Sequence, residues 1–375
     1  MLLVLSLLLL RMIASAFAVT MQTARMERVN HLFEIYTTLP IRHQRSIAGI
    51  VGAAVGDAAA RPFHWLYDRK KLEEIVGDAN PAFFPTNCSP FYDLPTGRRS
   101  CYNDLGLCML RSLPYKKDKL IKSIVSLFNS PSEYATAFAD RQMNAPYNAA
   151  KRLDERIVIK GPWQQQSVTV FLDCYNKDEE FSGNPEIKET DGLVVTLPLI
   201  CTLADNDVIT EAASLLSSNP FCIQHTLAAG EFLKFVIIND KMPNIDEMIS
   251  LVDDNNTNNI EESINAMINQ ELREVEECKM NSTNYIEAVS KWGTQCANPQ
   301  SFQSAILATI TSTSYEEGIK KCILAGGCNC SRANLSGALL GATYLIGTKE
   351  GIPLDWMYQT DLMEEIFELA IVNCV

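Results

Sequence analysis

Reactive side chains are most concentrated where two glycines precede a run of short residues carrying heteroatoms, Gly326-Gly327-Cys328-Asn329-Cys330-Ser331. Glycine permits backbone conformations closed to other residues, and the stretch behind, Ala333 to Ile346, reads as a buried small-residue helix. A turn that opens a helix offers free N–H groups and the positive end of the helix dipole, which favours anions or thiolates among these residues. The alternative is a turn capped by Ser331, with the cysteines acting as small buried hydrophobes. Three other places carry comparable chemistry: Asp57 and His64 with Trp65; Ser100-Cys101-Tyr102-Asn103-Asp104; and Asp191-Gly192. A lone histidine such as His64 is more often a packing residue than a ligand.

These residues must be positioned by helices. Gly337 and Gly341 lie four apart on one face of the Ala333 to Ile346 helix, and Gly49, Gly52 and Gly56 recur at helical spacing in Ser46 to Ala60. Helix glycines cost about 1 kcal/mol each against alanine, so their repetition predicts direct contact of the two helices through their glycine faces. Further helices are read at Lys70 to Val76, Ser100 to Leu113, Lys116 to Phe128, Glu133 to Asn144, Trp163 to Tyr175, Glu189 to Leu203 and Asp207 to Leu216. The series continues with Phe221 to Ile238, Asn281 to Trp292, Pro299 to Thr311, Tyr315 to Ala325 and Leu354 to Val372. Gly77 to Arg99 reads as a long functional loop, and Asp253 to Glu262, rich in asparagine, as a solvated one. Ile157 to Ile159 is too short to build a sheet. The expectation is an all-α, single-domain helical bundle over residues 46–372.

Hydrophobic residues make up 47% of the 375, enough for one large core, and no Pro/Gly/Ser linker divides the chain. A net charge of −13 argues against a sequence-independent grip on nucleic acid. Residues 1–18 combine a short apolar run with small residues at Ala14-Ser15-Ala16-Phe17-Ala18, the pattern of a signal peptide, so the secretory pathway is expected. A start at Met21 or Met26 would instead leave the protein in the cytoplasm. No other stretch reads as a transmembrane span. Twelve cysteines show no disulfide framework in their spacing.

Gly326 to Ser331, the small-residue helix, and then Gly351-Ile352-Pro353 with Trp356 resemble the C-terminal signature of the ADP-ribosylglycohydrolase family, Gly-Gly-Asp-Thr-Asp-Thr followed by a helix, Ile-Pro and Trp. Gly56-Asp57-Ala58 with Pro62 resembles that family's N-terminal Gly-Asp-Ala-Leu-Gly-Ala-Pro-x-Glu, His64 standing where the family has Glu. Ser100-Cys101-Tyr102 is similar in place to Thr-Asp-Asp; a shift of two residues sets Asn103-Asp104 against the Asp pair instead. Thr190 to Pro198 loosely matches Asn-Gly-x-x-Met-Arg-x-x-Pro, with Val195 at the Arg. Gly56 to Pro62 with His64-Trp65, and Pro95-Thr96-Gly97-Arg98 before Ser100, resemble the J crystallin and selenoprotein J branch.

The resemblance implies an orthogonal helical bundle that binds two magnesium ions and hydrolyses glycosidic bonds of ADP-ribose. It implies Asp57, His64 and Asp104 as catalytic candidates. It also implies a pocket of Trp65, Ser100, Cys101, Tyr102, Asn103, Asp191, Gly192, Gly326, Gly327, Cys328, Asn329, Cys330 and Ser331, with an ADP-ribose-like small molecule as the candidate ligand. Magnesium needs hard oxygen ligands, and four expected carboxylates have become His64, Cys101, Cys328 and Cys330. No magnesium site is therefore expected, and the expected role is structural and crystallin-like or thiol-based; the alternative is a divergent hydrolase using Asp104, Asp57 and Ser331. If the four replacements converge they form a soft site suited to zinc. The alternatives are a disulfide from Cys101 to Cys328 or Cys330, an activated thiolate at the helix N-terminus, or inert packing.

Overall fold

The computed structural model describes residues 23–179, 183–254 and 259–375; the expected leader lies outside them. Helices follow one another almost without interruption: α1 (23–38), α2 (Ile41–Ala60), α3 (Arg69–Val76), α4 (Cys101–Arg111), α5 (Lys117–Phe128), α6 (Glu133–Ala149), α7 (Gln166–Asn176), α8 (Asp191–Cys201) and α9 (Asn206–Ala213). The second half continues with α10 (Pro220–Asn239), α11 (Ile245–Asp253), α12 (Asn259–Met280), α13 (Tyr285–Trp292), α14 (Gln300–Ile310), α15 (Tyr315–Leu324), α16 (Asn329–Tyr344), α17 (Leu354–Gln359) and α18 (Met363–Cys374). The fold is all-α, as expected. A two-residue parallel pair, β1 (Tyr92–Asp93) with β2 (Ile159–Lys160), is the one ladder among the described residues.

The glycine faces do meet. A Cβ on Gly52 would lie 2.2 Å from the Gly337 carbonyl oxygen, and one on Gly341 2.3 Å from that of Ala48. The two backbones therefore touch, and the Tyr315 hydroxyl donates to the Gly52 carbonyl at 2.6 Å. α16 also packs on α8, α10, α14 and α15, which makes α2 and α16 the axis of the bundle.

Three expectations about elements need correction. Of the solvated loop placed at Asp253 to Glu262, residues 255–258 lie outside the described ones, while Asp253 ends α11 and residues 259–262 belong to α12, two helices that were not read from the sequence. α12 is acidic and asparagine-rich, yet it buries Ile264, Ile268, Leu272 and Val275 at helical spacing. The single helix expected over Leu354 to Val372 is broken where Leu362 turns left-handed (φ 55°), which lets the Asp361 N–H donate to the Gly97 carbonyl at 2.9 Å. Finally, α10 has the length and apolar composition to cross a membrane, but 67% of its apolar window is buried inside the bundle.

Candidate functional site

The turn after α2 and the Gly326-Gly327 turn before α16 are zipped together. The Trp65 N–H donates to the Gly327 carbonyl at 2.8 Å, and the Gly327 N–H to that of Leu66, also at 2.8 Å. Both glycines are left-handed (φ 70° and 62°), and a Cβ on Gly327 would lie 2.4 Å from the Thr294 carbonyl oxygen, so side chains are excluded there. This arrangement delivers Cys328, the residue capping α16, to His64: Sγ lies 3.5 Å from Nε2. His64 Nδ1 is 2.7 Å from the Tyr92 hydroxyl, and its ring stacks on Trp65 at 4.2 Å between centroids. The Tyr102 hydroxyl lies 3.4 Å from Cys328 Sγ.

Cys296 lies beside this cluster, and the neighbouring Cys328 thiol, with burial adding to the shift, pushes it well above the ordinary thiol range. Burial alone would push Cys328 up as well, but the hydrogen bonds from Cys296 and His64, His64's charge and Ser331 outweigh it and hold Cys328 well below that range. Cys330 and Cys101, by contrast, are pushed well up, first by burial and then by neighbouring negative groups. All twelve cysteines are free thiols, so the disulfide from Cys101 is not formed.

The carboxylates serve a different purpose. Asp57 is fully buried and accepts from the Ser100 N–H and hydroxyl, both at 2.6 Å, and from Asn334 Nδ2 at 2.8 Å. Burial pushes its carboxyl up and these donors oppose that. Asp104 accepts from Arg99 Nη2 at 2.9 Å and from the Tyr134 hydroxyl at 2.8 Å. Asn103 Nδ2 donates to Asn334 Oδ1 at 2.9 Å, so the shifted reading of the α4 motif also ends in internal bonds. Asn329 donates to the Ala60 carbonyl at 3.0 Å, and Ser331 bonds Ser301 at 2.9 Å.

This donor set suits neither the family's magnesium nor the soft metal site considered from the sequence. Magnesium needs oxygen ligands, and the oxygens of Asp57 and Asp104 already accept hydrogen bonds or an ion pair. The soft site of His64, Cys101, Cys328 and Cys330 needs correction. Residues two apart on a helix do not share a face, so Cys328 turns to His64 while the Cys330 thiol donates to the Asp57 carbonyl at 3.6 Å. Among the described residues no three His, Cys, Asp or Glu side chains are grouped to hold a metal ion.

Asp191 is the exception among the carboxylates. Its Oδ2 accepts from the Ser167 hydroxyl at 2.6 Å, while buried Oδ1 has no partner. Burial, only partly opposed by Ser167, pushes its carboxyl up to about 7. Both side-chain polar atoms of Gln165 and Asn298, and the Thr190 hydroxyl, are likewise buried and unpartnered. Gly192 serves packing, 3.4 Å at its Cβ position from Ala213. Two residues before Gln165, Trp163 meets Trp65 edge-on at 5.4 Å and lines a cavity of about 270 Å³ with Phe91, Arg141 and Arg156. A larger cavity, about 530 Å³, lies far from these residues, between α11, α12, α14 and α16.

The structure thus brings His64, Trp65, Tyr102, Gly327 and Cys328 together and places Cys101, Asp104, Cys330 and Ser331 in other contacts. Cys296, Tyr92, Trp163, Gln165 and Asn298 join the site unannounced by any motif. The available signals were the long loop Gly77 to Arg99, which carries Tyr92, and the pairing of Gln and Asn with a Trp or a Cys in short connections between helices.

A family model described as ADP-ribosylglycohydrolase matches residues 38–373. Crystallin J1A of Tripedalia cystophora is 24% identical over 331 residues, covering 87% of this chain and 95% of that protein. Crystallin J1B of the same organism is 22% identical over 331 residues. A solved structure, titled ADP-ribosylglycohydrolase-related protein complex, aligns with a TM-score of 0.55 at 17% identity over 90% of this chain and 99% of that one. At that identity the likeness concerns the fold.

Proposed function

The chain belongs to the ADP-ribosylglycohydrolase family, and from that premise we propose that it keeps the family's bundle without its magnesium-dependent hydrolysis, in a structural or thiol-based role. The observation that carries this reading is where the remaining carboxylates are spent. Asp57 ties α2 to the start of α4 and to α16, and Asp104 is held by Arg99 and Tyr134. Neither has a free oxygen facing a space where a cation and a ribose could sit. His64 and Cys328, at two other family positions, are fully buried against each other. The relationship to the two crystallins supports the structural half of the reading.

The test is cleavage of ADP-ribosylated protein and of O-acetyl-ADP-ribose with and without magnesium. No turnover above the protein-free rate is expected in either condition. Magnesium-stimulated turnover that disappears in Asp104→Ala would overturn the proposal.

A second reading, a divergent hydrolase, is favoured by one observation: the unpartnered oxygen of Asp191, raised towards neutrality, among other unpaired buried polar groups. Such a carboxyl can hold and release a proton near pH 7. Metal-independent turnover lost in Asp191→Asn would select this reading.

A further inference from the structure

Five Asn-x-Ser/Thr triplets, the acceptor pattern for N-linked oligosaccharides, begin at Asn87, Asn255, Asn281, Asn329 and Asn334. Asn255 lies outside the described residues. The fold sorts the other four. Asn329 and Asn334 are fully buried and their amide nitrogens are engaged. Asn329 Nδ2 donates to the Ala60 carbonyl at 3.0 Å, and Asn334 Nδ2 to Asp57 Oδ2 at 2.8 Å and the Cys330 carbonyl at 2.9 Å. A sugar on either nitrogen would remove these bonds and need a void inside the close-packed bundle. Asn87 is half-buried and ties its loop together: Nδ2 donates to the Tyr92 carbonyl at 2.9 Å, and Oδ1 accepts from Arg61 Nη1 at 2.6 Å.

Asn281-Ser282-Thr283 is built differently. It forms the turn between α12 and α13, and all three residues are exposed. Ser282 is left-handed (φ 50°), and the three backbone N–H groups close the end of α12. Asn281 donates to the Glu277 carbonyl at 2.9 Å, Ser282 to that of Lys279 at 3.1 Å and Thr283 to that of Cys278 at 2.9 Å. The backbone is thereby held in place. The Asn281 amide, which makes no hydrogen bond among the described residues, stands in solvent.

We propose that Asn281 carries an N-linked oligosaccharide, alone among the four described triplets. This goes beyond the loss of hydrolysis, and it rests on reading residues 1–18 as a signal peptide, because the transfer takes place inside the secretory pathway. The donor is an oligosaccharide carried on a lipid pyrophosphate. Its sugar C1–O bond to the pyrophosphate breaks and C1 bonds to Asn281 Nδ2. One amide proton is lost, and the departing lipid pyrophosphate takes it up. Transfer meets a chain not yet folded, so a glycan on Asn329 or Asn334 would keep α16 from seating on α2, and such chains would not reach the folded pool.

The experiment expresses the full-length chain in cultured animal cells in two forms, one with its own residues 1–18 and one with these exchanged for a cleavable signal peptide of known function. Secreted protein is treated with peptide N-glycosidase in heavy-oxygen water and mapped by mass spectrometry, so that each glycosylated asparagine is read as a heavy aspartate. Asn281 is expected to be converted in most molecules, and Asn87, Asn329 and Asn334 in none. Asn281→Gln should lose one glycan's mobility shift on a denaturing gel. Protein held inside the secretory lumen is read at Asn281 in the same way, so poor secretion or a poorly folding variant does not decide the matter. Conversion in the exchanged form alone leaves the Asn281 site standing and removes the signal-peptide reading. The proposal is overturned if Asn281 is unconverted in the exchanged form, or if Asn87, Asn329 or Asn334 is converted in the secreted protein.

Discussion

Asp191 receives one hydrogen bond where Asp57 receives three, and that difference has a pH signature. An unfolded aspartate titrates near 4, whereas burial raises folded Asp191 to about 7. The folded state therefore binds this proton more tightly. The stability it contributes is fully present below about pH 4, declines as pH rises, and is gone above about 7. Asp191→Asn, which keeps an acceptor for Ser167, should melt like the wild type near pH 4 and above it by a margin that widens until about pH 7 and then stays constant. A margin independent of pH across that range would mean Asp191 is not the titrating group. Residues of this kind are where sequence reading ran short. His64, Asp57 and Cys328 sit in compact motifs and were legible. Their pairing was not: Tyr92 comes from a loop read as functional but without a motif to single it out, and only three-dimensional closure puts Cys328 beside a residue 264 positions earlier.

At the scale of elements, the glycine faces make opposite predictions for two superficially similar substitutions. In Gly52→Ala the new methyl meets backbone, the Gly337 carbonyl oxygen at 2.2 Å, and backbone cannot swing aside; α2 and α16 must separate. A loss of about 3 kcal/mol or more is expected. In Gly230→Ala, within α10, the nearest atoms are the Ile200 side chain at 3.5 to 3.9 Å, ordinary contact, and the gain in helix propensity approaches about 1 kcal/mol. Urea titration of both variants checks the pair, and wild-type stability in Gly52→Ala would remove the close approach. Glycine spacing was legible because nothing else explains several glycines within one helix. The break before α18 was not, because its cause is a bond from Asp361 to Gly97, distant in sequence. α11 and α12 were passed over because the four asparagines within Asp253 to Glu262 set the reading of the whole stretch, although Asn244 and Glu247 form a capping box and Ile264 to Val275 keep the apolar period.

For the molecule as a whole, the question is whether so long a chain behaves as one unit. Single hydrophobic cores usually stop growing near 250 to 300 residues, and chains above about 150 often lose two-state behaviour. Here, however, the buried apolar side chains from Val29 to Ala370 form one connected cluster. Its axis is assembled from both ends of the sequence, α2 from the first half and α16 from the second. The ends are joined again by α1 and α18, through Arg25 with Glu364, Arg28 with Glu368, and Tyr36 packed on Phe367. α8, α10, α15 and α18 pack on α2 and α14 packs on α16, so unfolding any of these strips neighbours from the axis and exposes core in the remainder. Scanning calorimetry is therefore expected to give one transition whose calorimetric and van't Hoff enthalpies agree. Gly52→Ala should move that transition as a whole to lower temperature, because the contact it damages is shared by everything packed on the axis. Two resolved transitions, or a Gly52→Ala variant in which only part of the heat absorption shifts, would mean that the cluster is two cores in contact.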